Sequence, residues 1–247
     1  MTIKEIAENI YLGVVNIKEI DDELKKLIDQ KLISICEGNS KSDLIKVKKR
    51  VLNFLKSKNE KMRKGAVAEF FVHLYLILSD YKQECMFFNL EENSIKKGFD
   101  GYYSKQNEEW IMESKSGNIN SESVSHKSKV REAYNDLKTK LDGAATNNPW
   151  RNAYNHASHM DVGSEESIRL HIKKLSDEYD DDVYHNIKDF NIIPGSTIFL
   201  NGKWIENNIN VLEEDIEELV KNFDFNNIIV LCITKKSLNL FINYLIN

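Results

Sequence analysis

The period of the apolar residues changes at one point in this chain, and that change constrains the fold more than any other feature. Before Asp80, Val67, Phe70, Phe71, Leu74, Tyr75 and Leu78 recur at spacings of three and four, which line one stripe of a helix. The spacing predicts a helix over residues 60–79, apolar enough to sit at the centre of a core. Beyond Asp80 the pattern shortens to runs rich in aromatic and β-branched residues: 84–90 (ECMFFNL), 98–104 (GFDGYYS) and 109–115 (EWIMESK). The connectors NSIKK and KQNEE are hairpin-length, so an antiparallel meander is expected to follow the helix.

Two more amphipathic helices are expected upstream. Residues 20–35 place Ile20, Leu24, Leu27, Ile28 and Ile35 near one face, and residues 43–56 do the same with Leu44, Val47, Val51, Phe54 and Leu55. Downstream the pattern predicts helix 121–142 ending at Gly143, helix 164–179, strand 196–200, helix 211–222, strand 227–233 and a last helix 235–246, with 143–163 giving no clear period. The expected fold class is α/β. Residues 1–58 form an N-terminal helical extension and 59–247 the main domain, unless the two make one continuous domain. With 41% hydrophobic and 30% charged residues, ten Gly and two Pro, the chain is neither collagen-like nor disordered. No stretch reaches the ~20 apolar residues of a membrane-spanning helix, and the N-terminus lacks the apolar run of a signal peptide. Three isolated cysteines, Cys36, Cys85 and Cys232, form no CxxC and suit a reducing cytoplasm.

A formal net charge of -5 hides two opposite patches. Residues 43–64 carry nine bases against two acids, and residues 165–224 carry fifteen acids against six bases. Each reads either as a solvated helix face or as a functional surface. In the second reading the basic run tracks phosphates and the acidic stretch faces a partner. Lys46, Lys49, Arg50, Lys61, Arg63 and Lys64 are the candidate DNA contacts in the first run, with Lys127, Lys129 and Arg131 on a later helix.

The chemistry concentrates in residues 98–117, GFDGYYSKQNEEWIMESKSG. Residues two apart on a strand share a face, so Ile111, Glu113 and Lys115 point one way, and Asp100 shares the face of Tyr102. Pairing through the KQNEE turn would set Asp100 beside Glu113. Two carboxylates repel each other and resist loss of water. A hard divalent cation reverses that energy, since Mg²⁺ takes oxygen ligands and keeps several waters, one of which becomes a nucleophile. Lys115 can orient or deprotonate that water, or stabilise developing phosphorane charge. Acid-x-Lys occurs five times in the chain, and only Glu113/Lys115 lies on a strand after an apolar trio. The bland alternative is an exposed charged strand end at a hairpin.

A core helix bearing Glu69 (KGAVAEFFVHLYL), a strand acid at Asp100 (KGFDGYY) and Glu113-x-Lys115 (WIMESKSG) resembles the PD-(D/E)xK nuclease superfamily. More narrowly, these motifs are similar to the HamA family, the nuclease subunit of the Hachiman anti-phage system. The matching motifs cover residues 60–117, and Phe99 stands where the superfamily name has proline. The resemblance implies a restriction-endonuclease-like core, a central mixed sheet flanked by helices. It also implies Asp100, Glu113 and Glu69 as metal ligands and Lys115 as catalytic lysine, with Mg²⁺ as cofactor and Mn²⁺ as a substitute. DNA would be the substrate and a superfamily-2 helicase the partner.

Other motifs read more simply. His156 and His159 have a zinc-compatible spacing without further ligands. His73, one turn past Glu69, reads as a core or capping residue, GSTIFLNGKW as a poor copy of a phosphate loop, and Tyr102 and Tyr103 as core aromatics. Three functions follow from the sequence: a metal-dependent deoxyribonuclease within a defence complex, a type II restriction endonuclease, or a catalytically silent assembly subunit on a nuclease fold.

Overall fold

The computed structural model describes residues 3–88, 98–206 and 208–247. Seven strands form one sheet: β1 (Ile3–Ala7), β2 (Ile10–Ile17), β3 (Lys82–Gln83), β4 (Gly101–Lys105), β5 (Glu108–Asn118), β6 (Asn191–Phe199) and β7 (Asn227–Lys235), in the order β1-β2-β7-β6-β5-β4-β3. The middle four, β2, β7, β6 and β5, run parallel, and the pairs at both edges are antiparallel. Parallel strands are covered on both faces and read as continuous apolar runs. Accordingly β6 (NIIPGSTIF) is buried at every position and β7 (NIIVLCITK) at every position but the first.

Eight helices cover the sheet among the described residues: α1 (Asp22–Glu37), α2 (Leu44–Ser57), α3 (Glu60–Leu78), α4 (His126–Leu141), α5 (Pro149–Ala157), α6 (Glu166–Asp180), α7 (Ile209–Val220) and α8 (Asn239–Ile246). This is the expected α/β architecture, a central mixed sheet flanked by helices in the restriction-endonuclease-like manner. One face packs α1, α2, α3 and α8 against Ile229, Leu231 and Ile233 of β7 and Trp110 and Met112 of β5. The other packs α4 to α7 against Ile228, Val230 and Cys232 of β7 and Ile111 of β5. The strand period of two therefore assigns Glu113 and Lys115 to the α4 side. Helix α3 is capped by Asn59, whose side chain accepts from the Met62 N–H at 3.0 Å. It buries Phe70, Phe71 and Leu74 completely, each worth roughly 2 kcal/mol on transfer from water.

Several local expectations differ from the structure: the helix expected over 121–142 starts only at His126, and the last helix, expected over 235–246, starts at Asn239 because β7 runs on to Lys235. Residues 3–17 supply two strands to the sheet, and of the expected helical extension only 22–37 and 44–57 are helix. The strand expected over 84–90 is absent from 84–88, the pairing there being the two-residue β3. Residues 89–90 and the NSIKK connector lie outside the described residues. Strand β6 starts five residues before the expected 196, because it tolerates a proline in its interior. The β6–β7 pairing runs through Asn191 and Ile192 and resumes at Gly195, skipping Ile193 and Pro194, as a residue without an N–H requires. On its other side Pro194 stands opposite Glu113. The three cysteines are buried and form no disulfide among the described residues. No described helix is long and apolar enough to cross a membrane.

Candidate active site

A two-residue turn sets the geometry of the site. Lys105 pairs with Glu108, and Gln106 and Asn107 between them have φ of 49° and 69°. Both central residues are thus left-handed, which suits the twist of a hairpin. Counting back from this turn puts Gly101 opposite Met112, so Asp100 arrives one step further on, beside Glu113. The Ser114 N–H donates to Asp100 Oδ2 at 2.9 Å. Gly101 permits the close approach: a Cβ there would lie 2.7 Å from Tyr103 Cε2 and 2.9 Å from Met112 Cε.

Glu113 is only 3% exposed. Lys115 Nζ donates to its Oε1 at 2.9 Å and Lys140 Nζ to its Oε2 at 2.5 Å. Lys115 also donates to Asp136, and Lys140 lies 3.8 Å from the same carboxylate. Glu113, Lys115, Asp136 and Lys140 therefore form a ring in which carboxyl and amine groups alternate. Asp136 and Lys140, four apart on α4, project from one helix side. Burial, joined by the Asp100 charge, pushes the Glu113 carboxyl up to about 8, against the pull of Lys140 and Lys115. Burial would lower the Lys115 pKa, but Glu113 and Asp136 outweigh it and hold the ammonium above its ordinary value. Asp136 is held low, its burial outweighed by its bonds to Glu113 and Lys115.

Of the acids expected to converge, the structure brings Asp100 and Glu113 together with Lys115. It places Glu69 on α3, on the opposite side of the sheet, with Oε1 at 3.4 Å from His73 Nε2. His73 in turn bonds the hydroxyl of Tyr103, so His73 is a core residue and Tyr103 is wholly buried. The Tyr103 pKa is raised well above its ordinary value by burial first, then by Cys85, Glu69 and Asp100. Both carboxylates are therefore within electrostatic reach of that hydroxyl. No group of three or more His, Cys, Asp or Glu side chains is gathered as a metal site among the described residues. His156 is buried and accepts from the Met86 N–H at 3.2 Å, and His159 is exposed. The GSTIFLNGKW segment begins within β6.

The expected DNA contacts divide into engaged and exposed side chains. Arg63 Nε donates to the carbonyls of Leu55 and Lys58 at 2.8 and 2.7 Å, closing the end of α2. Arg50 pairs with Glu37 at 2.5 Å and Lys64 with Glu60 at 2.7 Å. Lys127 pairs with Glu218 at 2.6 Å and Lys129 with Glu132 at 2.5 Å. Lys46, Lys49, Lys61 and Arg131 are exposed.

Asp136 and Lys140 were not legible as site residues. Their signal was an Asp/Lys pair one turn apart on the helix after the motif, a pattern shared by many surface helices.

A family model described as HamA matches residues 4–247. The chain belongs to the HamA family. No curated protein matches it. The HamA match runs through all seven strands, far beyond the 60–117 stretch that carries the motifs, and it places the chain among components of the Hachiman anti-phage defence system.

Proposed function

We propose that this HamA-family chain is a divalent-metal-dependent deoxyribonuclease, the effector subunit of its defence system, working with a superfamily-2 helicase partner. The observation that carries the reading is the meeting of Asp100, Glu113 and Lys115 across adjacent strands, with the Ser114 N–H on Asp100 at 2.9 Å. The donor set fits Mg²⁺, or Mn²⁺ in its place. Two hard carboxylates are enough for a cation that completes its shell with water and phosphate oxygens. One of them is a buried acid whose ionisation its surroundings resist, a cost that a bound dication offsets. When bound, the metal supplies an acidified water as nucleophile and charge for the phosphate oxygens.

The chain's own residues divide the remaining work. Asp100, just before β4, and Glu113, midway along β5, would hold the cation. Lys115, held between Glu113 and Asp136, would orient the attacking water or stabilise developing phosphate charge. Glu69 would act from α3 through the His73–Tyr103 pair, across the sheet from Glu113. The exposed Lys46, Lys49, Lys61 and Arg131 offer phosphate contacts.

The test is cleavage of DNA by the purified chain with Mg²⁺, alone and with its helicase partner. Glu113→Ala and Lys115→Ala each abolish cleavage and keep the far-ultraviolet dichroism of the wild type. Cleavage retained by both variants rejects the assignment. One observation favours a second reading, a silent assembly subunit: both oxygens of Glu113 are already taken by lysines. Under that reading the wild type degrades no DNA under any metal or partner condition, and its binding to the helicase survives alanine at Asp100, Glu113 and Lys115.

A further inference from the structure

Lys140 stands where a cation bound to Glu113 would need to be. The Glu113 carboxylate has two oxygens, and each accepts from an ammonium, Oε1 from Lys115 and Oε2 from Lys140. A carboxylate so engaged is a poor metal ligand until one ammonium departs. The two lysines are not equally free to go. Lys115 is bonded on both sides, to Glu113 and to Asp136. Among the described residues Lys140 makes one close contact, to Glu113, and stands 3.8 Å from Asp136. It sits in the last turn of α4, and its four-carbon stem can carry the ammonium outward while the helix stays in place. Replacing a single positive charge by a double one also favours the exchange once a dication is present.

We infer that Lys140 is an autoinhibitory counter-ion, which competes with the divalent cation for Glu113 and moves to a DNA phosphate when the cation takes its place. The inference rests on the nuclease reading and adds its regulation. Asp136 plays a separate part as the positioning residue of Lys115, since its carboxylate keeps that ammonium at the site when Glu113 turns to the metal. Together these contacts keep the site closed to the metal when DNA is absent. With DNA present, a phosphate supplies the charge that Lys140 loses on leaving Glu113, so cation and DNA bind cooperatively.

The experiment is a titration of Mn²⁺ into the metal-free full chain, followed by calorimetry or by the spin-resonance signal of free Mn²⁺. It is run with and without a short DNA duplex carrying uncleavable phosphorothioate linkages. Without DNA, Lys140→Met and Lys140→Gln bind Mn²⁺ about tenfold more tightly than the wild type, the scale on which groups just outside a metal's ligands act. The duplex tightens Mn²⁺ binding to the wild type and leaves the affinity of both variants nearly unchanged. Mn²⁺ affinity equal to or weaker than wild type in both variants, with Glu113→Gln abolishing binding, overturns the counter-ion role and spares the metal site. Unchanged binding in Glu113→Gln removes the proposed metal site, and the inference falls with it. Lys140→Gln retains a hydrogen-bond donor towards Glu113, so a folding defect confined to Lys140→Met leaves the comparison intact.

Discussion

Lys235 offers the sharpest quantitative test of this fold. It ends β7, is wholly buried, and its Nζ has no hydrogen-bond partner among the described residues. Its nearest compensation is the face of Phe71, whose ring centroid lies 4.0 Å away, and a cation over an aromatic face recovers only about 1–2 kcal/mol. Burial pulls its pKa down from an ordinary 10.5 to about 7. In the unfolded chain the amine stays protonated to about 10.4, so between the two values the unfolded state binds the extra proton. Stability must then rise with pH across that interval, and the full penalty is felt below it. At about 1.4 kcal/mol per unit, a gap of 3.5 units corresponds to about 4–5 kcal/mol.

Lys235→Met keeps the apolar stem and removes the charge, a nearly volume-conserving change. Urea unfolding of both proteins between pH 6 and 10 should show the methionine variant more stable by about 4 kcal/mol near pH 6, with equal m-values. The advantage should shrink by about 1.4 kcal/mol per unit above pH 7. Comparing the two proteins matters, because burial also raises the pKa of Tyr102, Tyr103 and Cys232. Those groups lower the stability of both proteins alike at alkaline pH and cancel in the difference. A methionine variant no more stable than the wild type at pH 6, or an advantage flat with pH, refutes the reasoning.

Two further outcomes bear on how the site is held. Gly101→Ala drives a methyl into Tyr103 and Met112, both buried ring or core atoms with little room to yield. It should cost about 1–3 kcal/mol by thermal melting, and it should impair the proposed DNA cleavage beyond that loss by displacing Asp100. Arg63→Ala removes the donors that close the end of α2, with an expected loss of about 1–2 kcal/mol. A melting temperature equal to wild type would return Arg63 to the set of candidate phosphate contacts.

Sequence alone revealed those parts of the molecule whose partners are close in the chain. Helix α3 announced itself by its own apolar stripe, and the β4–β5 hairpin by two short runs around a turn. The adjacency of Asp100 and Glu113 followed from that hairpin without knowledge of the rest. Strand β2 was hidden because its partner β7 lies more than two hundred residues away, and its buried residues Leu12, Val15 and Ile17 divide between the two faces of the sheet and carry no trace of that pairing. The start of β6 was hidden by Pro194, a residue that ordinarily argues against a central strand. Asp136 and Lys140 were hidden because a helical Asp/Lys pair is a common surface pattern. Only the packing of α4 across the sheet, through Val130, Leu137 and Leu141, turns that pair towards Glu113.

The position of Glu69 bears on how its part in the site should be understood. The sheet lies between Glu69 on the α3 face and Glu113 on the α4 face, so the three acids form a sequence of contacts and fields rather than a cluster. Glu69 meets His73, and His73 meets the Tyr103 hydroxyl. That hydroxyl lies within the field of Asp100, which in turn acts on Glu113. Asp100 stands just before β4 begins, where its charge is felt on both faces. In this arrangement a change at Glu69 reaches the proposed metal ligands by shifting Tyr103 and the strand end that carries Asp100. Direct ligation would require its carboxylate to turn away from His73. Mn²⁺ affinity separates the two roles. An indirect role predicts that His73→Gln and Glu69→Gln weaken binding to a similar degree, whereas a ligand role predicts loss in Glu69→Gln alone.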